Sequence, residues 1–195
     1  MKNHFTKTIL AVVITITLSS CSKDDDGPSY NEENFMAGFL TNSGFSDVTD
    51  ATVNGGSYEF GTEFTPLVKG KITSLKVKIP ATNNALRVTI WDKSTAAATV
   101  IRSETVNVTA ADTEQGFDIA DLELSANHQY AITMNADDWY SHRRTGNTNA
   151  TYPITSGNIR IDNYKWIGGT AQTYPTNIAL TYYAGDVSFN FLQIE

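Results

Sequence analysis

Cysteine occurs once in the 195 residues, at position 21. A single cysteine excludes an intramolecular disulfide and any thiolate metal centre. Histidine is nearly as scarce, with His128 and His142 the only two beyond the N-terminal stretch. Neither Ser125 nor Ser141 lies in a G-x-S-x-G turn, so no Ser–His–acid arrangement announces itself. No HExxH, P-loop or dinucleotide-binding fingerprint is present. Asp137 and Asp138 are adjacent, and in a strand they would point to opposite faces, which a glycosidase pair cannot use. Calcium needs six to eight oxygen ligands, and the scattered Asp47, Asp50, Asp118 and Asp121 follow no EF-hand or RTX spacing. Basic residues are outnumbered, with 14 Lys and Arg against 21 Asp and Glu and a net charge of −7. Such a chain releases no counterions from phosphates, which argues against nucleic acid and anionic lipid surfaces as partners. Together these absences predict a non-enzymatic protein with no cofactor and no metal.

Long apolar runs are missing too. The longest, Ile9–Ile16, is too short to span a bilayer, but it follows Lys2 and Lys7 and precedes Ser19 and Ser20. That is the three-part pattern of a secretory signal. Leu18-Ser19-Ser20-Cys21 matches the lipobox, and the N-terminus resembles that of bacterial lipoproteins. The resemblance implies removal of residues 1–20 and a diacylglycerol on Cys21; two acyl chains suffice for stable anchoring. A free cysteine is often a core residue, yet one followed by Lys23-Asp24-Asp25-Asp26 has the wrong neighbours for a core. The acidic run also resembles the export signal that Bacteroidetes-type bacteria place after the lipidated cysteine. It implies an outer-membrane lipoprotein facing the cell exterior. Loss of Lys2 and Lys7 takes the charge from −7 to −9. We expect residues 21–33 to form an acidic tether and residues 34–195 a single domain, large enough to bury about 70% of its unfolded surface.

Period two dominates the rest of the chain, the signature of strands with one buried face. Leu75, Val77 and Ile79 alternate with Lys76 and Lys78, and Leu86, Val88 and Ile90 with Arg87 and Thr89. Tyr130, Ile132 and Met134 form a third set, Ile159 and Ile161 a fourth, and Val187, Phe189 and Phe191 a fifth. Polar turns such as Asn54-Gly55-Gly56 and Asn83-Asn84 separate them. Only NFMAGFL, residues 34–40, permits a short helix. The prediction is an all-β, antiparallel β-sandwich, with jelly-roll wiring the commonest alternative. Residues 58–195, with Phe64-x-Pro66 and Trp91-Asp92 as the most specific points, resemble an uncharacterised β-sandwich domain family of bacterial surface proteins. That resemblance implies a fold and no activity.

Aromatic residues carry the functional expectation. Alternation puts Trp91 on the face opposite the core or at its strand's end. Trp139, Tyr140, His142, Arg143 and Arg144 lie between turn-forming residues, and Tyr164 and Trp166 precede a glycine pair. Rings on loops of a rigid sandwich suit the apolar face of a sugar, while Arg, Asn and Asp bond its hydroxyls. The bland alternative is that each ring serves as core or lid. We therefore expect a surface-anchored binding module for an extracellular ligand, foremost a glycan, with those seven residues as the site. The rival is a structural or adhesion lipoprotein that binds a protein partner. The adjacent Arg143 and Arg144 suggest an acidic saccharide, unless Asp137 and Asp138 simply neutralise them.

Overall fold

The computed structural model describes residues 29–195. Cys21, the expected signal segment and the acidic run Asp24–Asp26 lie outside the described residues. Two antiparallel sheets carry the fold. The first contains β1 (Glu33–Asn34), β4 (Gly70–Lys78), β7 (Gln115–Leu124) and β14 (Asp186–Gln193), in the order β1-β14-β4-β7. The second is built on β3 (Tyr58–Pro66), β5 (Asn83–Asp92), β6 (Thr99–Val108) and β8 (Tyr130–Ala136), in the order β3-β8-β5-β6. Except for the hairpin β5–β6, strands of this set that follow one another in sequence lie in opposite sheets, and the two sheet orders are those of the double Greek key of a jelly roll.

The alternating sets face one another between these sheets. Leu75, Val77, Phe189 and Phe191 from the first sheet are fully buried, as are Phe64, Leu86, Ile132 and Met134 from the second. Phe64 and Phe189 bridge the layers with ring centroids 4.8 Å apart. Ile72 and Leu75 have opposite parity yet both face the core, because the register slips between Ile72 and Ser74. A bulge of this kind adds one residue and restores the alternation. The folded domain starts slightly before the expected boundary. Glu33 pairs with Phe191, and Glu32 accepts hydrogen bonds from Thr73 and Asn190, so these two acids belong to the sandwich.

Between β8 and β14 the chain inserts further elements. β11 (Ile159–Gly168) extends the second sheet beyond β3, with β10 (Ile154–Ser156) and β12 (Asn177–Ile178) paired to it. β9 (Trp139–Arg143) and β13 (Tyr182–Ala184) join β2 (Val48–Thr52) in a third sheet, ordered β13-β9-β2. The helix permitted by residues 34–40 forms two residues later, as α1 (Met36–Ser43), whose first free amide is capped by Asn34 Oδ1 at 2.9 Å. It ends at Gly44, where φ is +77°. Phe39 of α1 packs edge-on against Phe45 and Tyr183, which joins the third sheet to the core. No helix among the described residues is long and apolar enough to cross a membrane.

The outer face of the second sheet is covered over β3, β8 and β5. Residues 169–176 cross it as a strap. Gln172 Nε2 donates to Thr89 at 3.0 Å and Ser103 at 2.9 Å, and Arg87 donates to the Thr170 carbonyl. Beneath lies Glu59, wholly buried, which accepts from Arg87 at 2.7 Å and from Thr133 at 2.5 Å. Trp91 is on this outer face, as expected, yet only 4% exposed, its Nε1 donating to Thr133 and its ring edge-on to Tyr174 of the strap.

Candidate functional site

The insertion leaves an opening in the sandwich. The second sheet, through β3 and β11, and the third sheet, through β2, β9 and β13, line opposite sides of this opening. Between them lies a cleft of about 450 Å³. Strand parity decides what faces it. On β9, Trp139, Ser141 and Arg143 point into the cleft; β2 pairs Thr52 with Trp139 and Asp50 with Ser141, placing both on the same face. β13 pairs Tyr182 with Arg143. From the opposite layer come Tyr58 of β3 and, on β11, Tyr164 and Trp166.

Phe60 and Tyr164, 2% and 1% exposed, form the floor. Tyr58, Trp139, Trp166 and Tyr182 are partly exposed and form the walls. Tyr58 holds the two tryptophans apart, edge-on to Trp139 at 5.4 Å and to Trp166 at 6.0 Å. Tyr182 stands edge-on to Tyr164 at 5.6 Å. Such T-shaped contacts fix the orientation of each ring. Burial raises the phenols of Tyr164 and Tyr182 above their ordinary range, so both are neutral at neutral pH.

Polar groups sit among the rings. Trp139 Nε1 donates to Ser141 Oγ at 3.2 Å. Arg143 Nη2 donates to Asp50 Oδ2, and this ion pair lies at the cleft's exposed rim. Two N–H groups of the lining residues, Arg143 Nε and Trp166 Nε1, are buried and find no partner among the described residues.

Four of the seven expected residues therefore meet at one site: Trp139, Arg143, Tyr164 and Trp166. The other three do not. Residues 139–143 are a strand rather than a loop, and alternation turns Tyr140 and His142 the other way. Tyr140 donates its phenol to Asp112 beneath the Lys78 ammonium. His142 is 5% exposed, with Nε2 on Asp186 at 2.6 Å and Nδ1 on the Thr49 hydroxyl at 3.1 Å. Arg144 leaves the strand and donates to the Asn149 carbonyl. Asp137 and Asp138 do not neutralise the arginines. Asp138 instead accepts the Asn54 amide at 2.7 Å, while Asp50 pairs Arg143.

Sequence reasoning missed Tyr58, Tyr182, Asp50 and Ser141. Tyr58 and Phe60 are two apart in one strand, a signal available in advance. Asp50 and Ser141 meet only through the pairing of β2 with β9, across which Asp50 also reaches Arg143, 93 residues away in sequence. Among the described residues no three His, Cys, Asp or Glu side chains converge as metal ligands. Asp47 accepts the Thr145 amide and Asp121 the Lys71 ammonium. A second, wider depression of about 610 Å³ lies near Asn83, Asn107 and Asp137, with no ring in its lining. Comparison of the chain with family models, curated proteins and solved structures gave no match, so the reading of the site rests on its own geometry.

Proposed function

We propose that the chain is a lipid-anchored outer-membrane protein that faces the cell exterior and holds an extracellular ligand, foremost a glycan, without catalysing a reaction. The cleft supports this reading: partly exposed rings fixed at set angles alternate with an arginine, a carboxylate and a serine. Rings take the apolar face of a sugar, and a few placed polar groups take its hydroxyls. The anchor on Cys21, the exterior location and the kinship of residues 58–195 with an uncharacterised surface-domain family belong to the same proposal, supported by Leu18–Cys21, Asp24–Asp26 and Trp91-Asp92.

A protein partner is the second reading, and one observation favours it. Val100 and Ile101 on β6, an edge strand, are 44% and 37% exposed. Apolar residues on an open edge are a feature of strand-to-strand docking. A glycan array probed with the full chain and with Trp166→Ala separates the two. Signals that vanish in the variant support the cleft. An array silent for both chains, beside capture of an outer-membrane protein lost on Val100→Lys, supports the edge.

A further inference from the structure

Resting on the glycan reading of the cleft, we infer that its ligand is a neutral saccharide, held through adjacent hydroxyls by the Asp50–Arg143 pair. An arginine alone would favour a carboxylate or a sulfate, taken bidentately. Here that position is already occupied: Arg143 Nη2 donates to Asp50 Oδ2 across the paired strands β2 and β9. An anionic sugar would have to expel the Asp50 carboxylate or lie against it, and like charges at contact repel. The chain's net charge of −7 adds a long-range term of the same sign.

A hydroxyl meets no such conflict, because it both donates and accepts. Asp50 side-chain exposure is 55% and that of Arg143 is 37%, so both remain reachable at the rim while bonded to each other. The carboxylate accepts from one hydroxyl, and the guanidinium donates to its neighbour. Tyr58, Trp166 and Tyr182 add apolar surface and no charge.

The test is affinity electrophoresis and titration calorimetry of the full chain against two panels. The neutral panel is laminarin, xyloglucan and galactomannan; the acidic panel is polygalacturonate, alginate and chondroitin sulfate. The expected result is retention by a neutral polymer, with acidic polymers bound at least tenfold more weakly. Asp50→Asn is expected to weaken neutral binding at least fivefold with the melting temperature unchanged. Tighter binding of an acidic polymer, strengthened further by Asp50→Asn, overturns the neutral-ligand inference and leaves the cleft as a sugar site. Retention that survives Trp166→Ala, or no retention on either panel, overturns the cleft reading and this inference with it.

Discussion

Gly185 joins β13 to β14 and offers a direct measure of how tightly the cleft floor is built. Its φ is +88°, and a Cβ placed on it would lie 2.3 Å from two ring atoms of Phe60 and 3.2 Å from the Met134 methyl. Gly185→Ala therefore carries two costs. A left-handed backbone costs an ordinary residue about 1–2 kcal/mol. Forcing a methyl into a packed core adds roughly 1–3 kcal/mol. Gly146 separates them, because its φ of +75° is similar and nothing lies within 4 Å of its Cβ position. Both alanines gain the same small benefit from a less flexible unfolded chain, so it cancels in the comparison. At roughly 2–4 °C per kcal/mol for a domain of this size, Gly185→Ala is expected to melt about 5–15 °C below the parent. Gly146→Ala, which carries only the backbone cost, is expected to fall by about 2–8 °C. Differential scanning calorimetry and urea titration read both. If the two variants fall equally, Phe60 yields without cost and the floor is not the packed surface described.

Three further outcomes are expected. Burial raises the phenols of Tyr140, Tyr152, Tyr164, Tyr174, Tyr182 and Tyr183, with Asp112 helping to push Tyr140 to about 12. A pKa raised on folding gives stability that is complete below the unfolded value of about 10 and lost as pH climbs through the folded one. Absorbance at 295 nm is thus expected to rise in a late alkaline step that coincides with loss of the native far-UV spectrum; full phenol ionisation by pH 10.5 with that spectrum intact would contradict the burial. For Asp92, burial works upward, but hydrogen bonds from Ser94 and His128 outweigh it and hold the carboxyl at about 2. Its contribution is present above about pH 4 and lost as pH falls through 2, so the melting-temperature gap between parent and Asp92→Asn is expected to close over that window. Glu59→Gln leaves Arg87 facing a neutral amide under the strap. Breaking one partner of a buried pair costs 3–5 kcal/mol, and with Arg87 24% exposed the low end applies, about 3 kcal/mol by urea titration, with sugar binding intact.

The sandwich was legible because its strands are half-buried: Val187, Phe189 and Phe191 state their face by parity alone. Wiring was not, since nothing local to β14 specifies β1 and β4 as its neighbours. Trp91 shows the limit of the alternation rule. Parity assigned it correctly to the outer face, but its burial depends on Tyr174, 83 residues later, crossing that face. The segment from Trp139 to Arg144 shows another. Turn-forming neighbours on both sides read as a loop, and a loop reading gives all its side chains equal access. Treated as a strand, the same residues divide into a cleft set and a core set, and His142 falls among the latter. The acid facing Arg143 was invisible for a third reason. Asp50 sits in β2, whose exposed residues carry no core pattern, so its register on β9 is fixed by pairing and not by hydrophobicity.

The division of β9 bears on how fast and how tightly a ligand is held. Tyr140 and His142 anchor alternate positions of the strand, so the backbone between them has little freedom left before any ligand arrives. Trp139 is already bonded to Ser141, and Arg143 to Asp50. Ordering a flexible side chain on binding costs about 0.5–1.5 kcal/mol. In this cleft that entropy is spent when the chain folds. On the proposed reading of the cleft, capture needs no slow closure, the free and occupied shapes nearly coincide, and differences in affinity among ligands emerge as differences in how long each one stays.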